Sequence, residues 1–268
     1  MCPRLFTIGS FSVPTYGLLV ALGFLVGLMI VARLSRRVGL DPDTMTNLGI
    51  YVALAAIVGA KVFMILSNLG YYLESPGRIF SLSSLQAGGV FYGGLLAALG
   101  VAVWYSRRAS LAPLQTADVL APAVAIGHSI GRLGCFAAGC CWGKETDLPW
   151  GVVFTNPIAH DFVGVPLNVH LHPTQLYEAL GTFAVGLVLL RLFGRPHAAG
   201  TIVGWYLVLY SGFRFAVEFL RATSDRTFPF QGPFSSTQWI ALILVVAGGL
   251  LLSRQKKHPY IVPVKQPA

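Results

Sequence analysis

Long apolar runs separated by short polar segments dominate this sequence. Seven runs are long enough to cross a bilayer as helices, because the hydrocarbon core requires about 20 largely apolar residues. They cover approximately residues 15–34, 47–68, 88–105, 116–135, 174–193, 200–220 and 237–253. We therefore predict an all-α, polytopic integral membrane protein of about seven transmembrane helices.

Composition strengthens this prediction. Of the 268 residues, 55% are hydrophobic and 11% are charged, whereas a soluble domain carries about 25% charged residues. A net charge of +9 would suggest nucleic acid as the partner of a soluble protein. Here the basic residues follow apolar runs, where anionic lipid headgroups lie. We expect membrane lipid as a partner, no nucleic acid, and a single membrane domain over residues 1–268.

Basic residues after every second apolar run predict the orientation. They are Arg33, Arg36 and Arg37, then Arg107 and Arg108, then Arg191 and Arg195, and finally Arg254, Lys256 and Lys257. By the positive-inside rule these helix ends face the cytoplasm. The N-terminus is then extracytoplasmic, residues 136–172 form a small extracytoplasmic head, and residues 254–268 form a cytoplasmic tail that we expect to be disordered. Residues 152–155 look strand-like but too short for a sheet.

Polar residues inside the apolar runs are candidate functional residues, because lipid disfavours ionisable groups. In the fourth run His128, Arg132 and Cys135 recur at i, i+4 and i+7, and so share one helix face. Arg132 lies near the outer end, where snorkelling to the headgroups is the alternative interpretation.

The sixth run carries a second polar stripe, with Tyr210, Arg214, Glu218 and Arg221 at i, i+4, i+8 and i+11. Arg214 and Glu218 can also form a purely structural ion pair within the helix. The arginines nevertheless outnumber the carboxylates. Incompletely neutralised guanidinium groups are suited to a phosphate, because each planar fork donates two parallel hydrogen bonds.

The fifth run opens with HPTQLYE over residues 172–178, which places Gln175 and Glu178 on one helix face. Glu178 has two interpretations, a partner for an arginine or an acid–base residue. Three further groups have mainly structural interpretations. Gly127, Gly131 and Gly134 would form a glycine packing seam in the fourth run. Lys61 would snorkel to the headgroups, and Asp118 would be a favourable charge at a helix start.

The cysteines are clustered rather than paired along the chain. Cys135, Cys140 and Cys141 give the spacing C-x₄-C-C, which matches none of the usual zinc-binding patterns. We therefore predict no metal site and no cofactor. A disulfide from Cys135 to either Cys140 or Cys141 remains open at this stage.

Three segments resemble the main motifs of the bacterial prolipoprotein diacylglyceryl transferases. They are GRLGCFAAGCCWG at 131–143, HPTQLYE at 172–178 and FRFAVEFLR at 213–221. Tyr16 followed by Gly17, and Gly93-Gly94-Leu95, lie where that family has its Tyr-Gly and His-Gly-Gly-Leu elements. The resemblance covers nearly the whole chain and also implies seven spans with the N-terminus outside.

The resemblance implies a transferase of lipoprotein biosynthesis in the bacterial cytoplasmic (inner) membrane. Its substrates would be phosphatidylglycerol and the lipobox cysteine of a prolipoprotein signal peptide. The diacylglyceryl group would pass to the cysteine thiol, forming a thioether and releasing glycerol phosphate.

The implied site combines both polar stripes. Arg132 and Arg214 match arginines that bind the headgroup, and Glu218 matches their partner carboxylate. The candidate catalytic residues are Arg132, Arg214, Glu218, Tyr16 and Tyr92. The candidate substrate-binding residues are Arg132, Arg214, Tyr210, Gly143, Cys135, His172, Gln175, Glu178 and Arg221.

Three positions depart from the family pattern. Cys135 replaces an asparagine, Cys140 a glutamate, and Tyr92 the histidine of the His-Gly-Gly-Leu element. These changes leave two alternatives, namely a non-catalytic lipid-binding or thiol-sensing paralogue, and the same chemistry on another acceptor. A transporter is disfavoured because the sequence shows no inverted repeat.

Overall fold

Each predicted apolar run overlaps one long helix. A computed structural model of the chain describes residues 3–8, 11–81, 84, 89–222, 228, 232–254 and 260–261. Its long helices are Thr15–Arg37 (α1), Pro42–Ser67 (α2), Phe91–Arg108 (α4), Pro113–Ala138 (α5), Thr174–Phe193 (α7), Thr201–Glu218 (α8) and Ser236–Ser253 (α9). Shorter helices are Leu69–Leu73 (α3), Pro157–Val163 (α6) and a 3₁₀ turn at Pro76–Phe80.

Five helices within the described residues are long and apolar enough to cross a membrane, namely α1, α2, α5, α7 and α9. The other two long helices have 18 residues each. Arg107 and Arg108 in α4, and Arg214 and Glu218 in α8, lower their hydropathy. The prediction of a helical, polytopic membrane protein is confirmed, whereas the count of seven and the orientation remain predictions.

Three two-stranded antiparallel sheets accompany the helices. They pair Arg4–Ile8 (β1) with Phe11–Pro14 (β2), Val152–Val153 (β3) with His170–Leu171 (β4), and His197–Ala198 (β5) with Tyr260–Ile261 (β6). The expectation that residues 152–155 are too short for a sheet is therefore wrong, because a distant segment supplies the partner strand. The expectation of a disordered tail is also wrong at residues 260–261. Residues 255–259 and 262–268 of that tail lie outside the described residues.

The chain divides into two compact units. One comprises Met1–Val38 and Leu114–Ala268, and the other is Gly39–Pro113. In the second unit α2 packs against α4 through glycines, since a Cβ at Gly59 or Gly93 would lie 2.6 Å from the other residue's carbonyl oxygen. In the same unit Lys61 Nζ donates to the Ser84 carbonyl at 2.7 Å.

In the first unit, the predicted glycine seam of α5 packs against α1. A Cβ at Gly127 would lie 2.9 Å from the Gly23 carbonyl oxygen, and one at Gly134 would lie 3.2 Å from that of Tyr16. Small residues here let the two backbones approach closely. Gly131 has no neighbour within 4 Å of such a Cβ, so its inclusion in the seam was wrong.

Asp118 stabilises the start of α8 and not, as expected, the start of its own helix α5. Its buried carboxylate accepts hydrogen bonds from the backbone N–H groups of Gly200 at 2.7 Å and Val203 at 2.8 Å. These donors lie at the start of α8, where a helix has N–H groups without partners in its own backbone. The charge of Asp118 therefore favours the N-terminus of α8 rather than that of its own helix.

The segment between α5 and α7 has a small apolar core of its own. Phe154, Ala159, Val165 and Leu171 are buried together. The Asn156 side chain accepts a hydrogen bond from Ile158 N–H and caps α6. This core anchors the loop that follows α5.

Candidate active site

Three arginines and two glutamates form a buried cluster at one end of the helices α5, α7 and α8. Arg132 comes from the end of α5, Glu178 from the start of α7, and Arg214, Glu218 and Arg221 from the end of α8 and just beyond it. The arginine side chains are 11–14% exposed, and the glutamate side chains are 1–2% exposed. Both predicted polar stripes therefore belong to one site.

The arginine and glutamate side chains form several ion pairs, but their formal charges do not sum to zero. Arg132 Nη2 lies 2.6 Å from Glu178 Oε2, and Arg214 Nη1 lies 2.6 Å from Glu218 Oε2. Arg221 contacts Glu178 at 3.8 Å and Glu218 at 3.9 Å, while Arg214 Nε is 4.0 Å from Glu178. Glu178 is thus an arginine partner. Among the described residues, three guanidinium groups against two carboxylates give a formal excess of one positive charge, which favours an anion in a site shielded from solvent.

Histidine and tyrosine flank the cluster. Arg132 Nε donates to His128 Nε2 at 3.1 Å. Because Nε2 accepts, the proton of a neutral His128 lies on Nδ1. The ring of Tyr210 lies 5.5 Å from that of His128 and stacks on Tyr206 at 5.4 Å. Tyr210 therefore borders the arginines, as its place on the polar stripe predicted.

Ser235 belongs to the site but was not found from the sequence. Its hydroxyl donates to Glu218 Oε1 at 2.8 Å. The Ser235 hydroxyl oxygen also accepts from Gln238 N–H, and the Gln238 side chain accepts from Ser235 N–H, which forms a capping box at the start of α9. The Ser-x-x-Gln pattern predicts a helix start, but nothing in it indicates the contact with Glu218.

Gly143 joins two of the helices through its backbone. Its N–H donates to the His172 carbonyl at 3.0 Å, and Lys144 N–H donates to that of Leu220 at 2.8 Å. A Cβ at Gly143 would lie 2.7 Å from both carbonyl oxygens. Gly143 therefore fastens the loop after α5 beside Arg221, and only glycine allows this approach.

The start of α7 holds the same loop. Gln175 Nε2 donates to the Cys140 carbonyl and Thr174 Oγ1 to the Cys141 carbonyl, each at 2.7 Å. The His172 ring shares a hydrogen bond of 3.2 Å with the Tyr177 hydroxyl. In the described contacts, Gln175 and His172 position the loop.

The thiols of Cys135, Cys140 and Cys141 converge at this loop, with their sulfurs within 4.8 Å of one another. All three are free, so neither open disulfide is formed in this structure. Hydrogen bonds with Cys135 and Cys140 hold the pKa of the Cys141 thiol below its usual range, and Arg221 and Arg132 act in the same direction. Hydrogen bonds with Cys135 and Cys141, together with burial, raise the pKa of the Cys140 thiol. The linear spacing of the cysteines gave no sign of this convergence.

Comparison with known proteins shows the family of the chain. The family model described as prolipoprotein diacylglyceryl transferase matches residues 3–254. The chain belongs to this family. It is similar to the phosphatidylglycerol–prolipoprotein diacylglyceryl transferases of Clostridium tetani (32% identity, 92% of this chain, 95% of the relative) and Geobacter sulfurreducens (33%, 96% and 97%). The Vibrio cholerae relative is 33% identical over 93% of this chain and 90% of its own.

Two candidate tyrosines of the family resemblance lie in different units. Tyr16 is the second residue of α1, and its ring lies 3.3 Å from the Cβ position at Gly134, beside the stretch that carries Arg132 and Cys135. Tyr92 is the second residue of α4 in the Gly39–Pro113 unit, and 64% of it is exposed. A role for Tyr92 stays a prediction.

Proposed function

We propose that this chain transfers the diacylglyceryl group of phosphatidylglycerol to the lipobox cysteine of a prolipoprotein. The reaction would form a thioether and release glycerol phosphate. Membership of the family and the names of its relatives support this function. The observation that carries it is the buried cluster in which, among the described residues, three guanidinium groups meet two carboxylates.

The cluster is suited to a phosphodiester whose charge grows during reaction. As the carbon–oxygen bond to phosphate breaks, its electron pair stays on the leaving phosphate oxygen. Guanidinium groups that are already in place stabilise this charge without reorganisation. Arg132 and Arg214 would bind the headgroup, Glu178 and Glu218 would hold their orientations, and Tyr210 would border the bound lipid.

We also propose seven spans in the bacterial inner membrane, with the N-terminus outside. The cluster lies at the ends of α5 and α8 and the start of α7, next to the predicted extracytoplasmic head. The predicted cytoplasmic arginines lie at opposite helix ends, for example Arg191 in the last turn of α7. Lipid would then enter from the outer leaflet.

Single engineered cysteines test this orientation. Asp147 and Ser110 are both exposed and lie in loops on opposite sides of the proposed membrane. A membrane-impermeant thiol reagent added to intact spheroplasts should label Asp147→Cys above the wild-type background and leave Ser110→Cys at that background. Labelling of Ser110→Cys alone would reverse the proposed topology.

Rescue of a bacterium depleted of its own transferase tests the function. Mass spectrometry of a model lipoprotein should show the diacylglyceryl thioether on the lipobox cysteine. Arg214→Lys should lose about 10- to 150-fold in transfer rate, because an ammonium cannot replace the fork and a charged hydrogen bond contributes about 1.5–3 kcal/mol. Arg78→Lys, at an arginine whose side chain is 39% exposed, serves as the control.

The outcomes separate the alternatives named from the sequence. Lipid binding without any thioether product would favour a non-catalytic lipid-binding paralogue. A thioether on a different thiol would favour another acceptor. Wild-type transfer by both Arg132→Lys and Arg214→Lys would remove the headgroup role of the arginines.

A further inference from the structure

A helix-ending motif brings Cys135 and Cys140 side by side. Gly139 ends α5 with φ 80°, Cys140 N–H donates to the Cys135 carbonyl at 3.1 Å, and Gly139 N–H donates to that of Phe136 at 3.2 Å. This is the Schellman arrangement, in which the residues corresponding to Cys135 and Cys140 usually make an apolar contact. Here two thiols occupy those positions.

The third thiol is supplied by a backbone conformation that is unusual for its residue type. Cys141 has φ 60°, in the left-handed region that residues other than glycine seldom adopt. Such conformations persist where the surroundings enforce them, often at functional sites. Fully buried Thr174 and Gln175 enforce this one through their bonds to the carbonyls of Cys141 and Cys140.

We propose that Cys135, Cys140 and Cys141 bind one thiophilic divalent cation, zinc being the best fit, and leave its fourth position open for the acceptor thiol. Three protein ligands plus one exchangeable position are typical of catalytic zinc sites. Tetrahedral Zn–S bonds of 2.3 Å require sulfurs about 3.8 Å apart. The three sulfurs already lie within 4.8 Å of one another.

The surrounding charge suits such a centre. Three thiolates and one divalent cation carry one negative charge, which is opposite to the charge left over in the arginine–glutamate cluster. Arg132 precedes Cys135 by three residues and so shares its face of α5.

The role of the open coordination position rests on the proposed function. In the transfer reaction, that position would hold the acceptor thiol. Coordination of the acceptor thiol would release its proton to water and present a thiolate. Its sulfur lone pair would form the new S–C bond while the C–O bond to phosphate breaks, and the electron pair would leave on the phosphate oxygen. The cation would be neither oxidised nor reduced. The neutral thioether would bind it more weakly than a thiolate and depart.

Metal content of the full chain tests the site without any measurement of transfer. Protein purified in detergent under reducing conditions should contain about one zinc ion per chain by elemental mass spectrometry. Cys135→Ser and Cys140→Ser should each lose it, with thermal unfolding recorded to verify that they fold. Cys2→Ser, outside the described residues, is the matched control and should keep it.

Cobalt substitution tests the open position. Co²⁺ added to the chelator-stripped chain should give the thiolate charge-transfer band of a tetrahedral site. A lipobox peptide with its cysteine should then shift the visible spectrum, while the matched serine peptide should not. Equal spectra with both peptides would overturn the open position.

Further outcomes distinguish failure of the metal site from failure of the proposed transferase activity. A metal-loaded chain that transfers no lipid would retain the metal site and refute the transferase. An active chain with no metal, whose three thiols react equally fast with and without Zn²⁺, would refute the metal site alone. Full activity after verified removal of the metal would refute its role in thiol activation.

Discussion

Replacement of Glu178 by glutamine should destabilise the protein far more than the loss of one ion pair normally does. Glu178 is 1% exposed and faces all three arginines of the cluster, at 2.6, 3.8 and 4.0 Å. Glutamine keeps the shape but removes the charge, so the formal excess of positive charge among the described cluster residues rises from one to two. Removal of one partner from a buried ion pair costs about 3–5 kcal/mol.

Thermal unfolding in a single detergent measures this effect. For a chain of this size about 1 kcal/mol corresponds to roughly 2–4 °C, so Glu178→Gln should lower the unfolding midpoint by about 6–20 °C. Glu74→Gln provides the matched control, because Glu74 pairs with Arg78 at 3.7 Å and is 76% exposed. Exposed pairs contribute about 0.2–1 kcal/mol, so the control should shift by less than about 4 °C.

Added glycerol phosphate distinguishes charge from packing as the cause. An anion should raise the midpoint of Glu178→Gln more than that of the wild type, since the variant has more positive charge to neutralise. If Glu178→Gln unfolds at the temperature of Glu74→Gln, the carboxylate does not compensate the arginines. The inferred excess charge of the site would then be wrong.

Three further predictions concern single residues. Gly127→Ala should cost about 1–3 kcal/mol of unfolding free energy because the added methyl overpacks the α1–α5 contact, while Gly131→Ala, in open space, should unfold with the wild type. Asp118→Ala should cost about 1–3 kcal/mol because it leaves buried N–H donors at the start of α8 unpaired, and exposed Asp147→Ala should be neutral. Tyr92→Phe should keep transfer within about tenfold in the rescue assay, and a loss of the roughly 10²–10⁴-fold expected of a general base would contradict this.

The helices and the charge cluster could be predicted from the sequence because both follow from the demands of a bilayer. A bilayer requires long apolar runs, so an arginine or glutamate inside such a run must face protein or water. The i, i+4 spacing of Arg214 and Glu218 then predicted a shared face, and the surplus of arginines predicted an excess of positive charge. The pairing of Glu178 with Arg132 was one of two interpretations, and only the fold could select it.

The thiol cluster, the short sheets and Ser235 were not accessible in the same way. Residues 152–153 pair with residues 170–171, and no local pattern encodes a partner that far along the chain. Cys140 approaches Cys135 because Gly139 reverses the chain in the left-handed region, which the spacing C-x₄-C-C does not reveal. Ser235 meets Glu218 only after α9 packs on α8.

The backbone joint at Gly143 has a consequence for motion. Main-chain hydrogen bonds link the loop after α5 to His172, just before α7, and to Leu220, just after α8. Separation of these helix ends at this level therefore requires these main-chain hydrogen bonds to break. Amide protons of Gly143 and Lys144 should exchange with deuterated water slowly and at one common rate, as a single opening event would require. In the proposed reaction, the lipid would then pass beside these three helix ends.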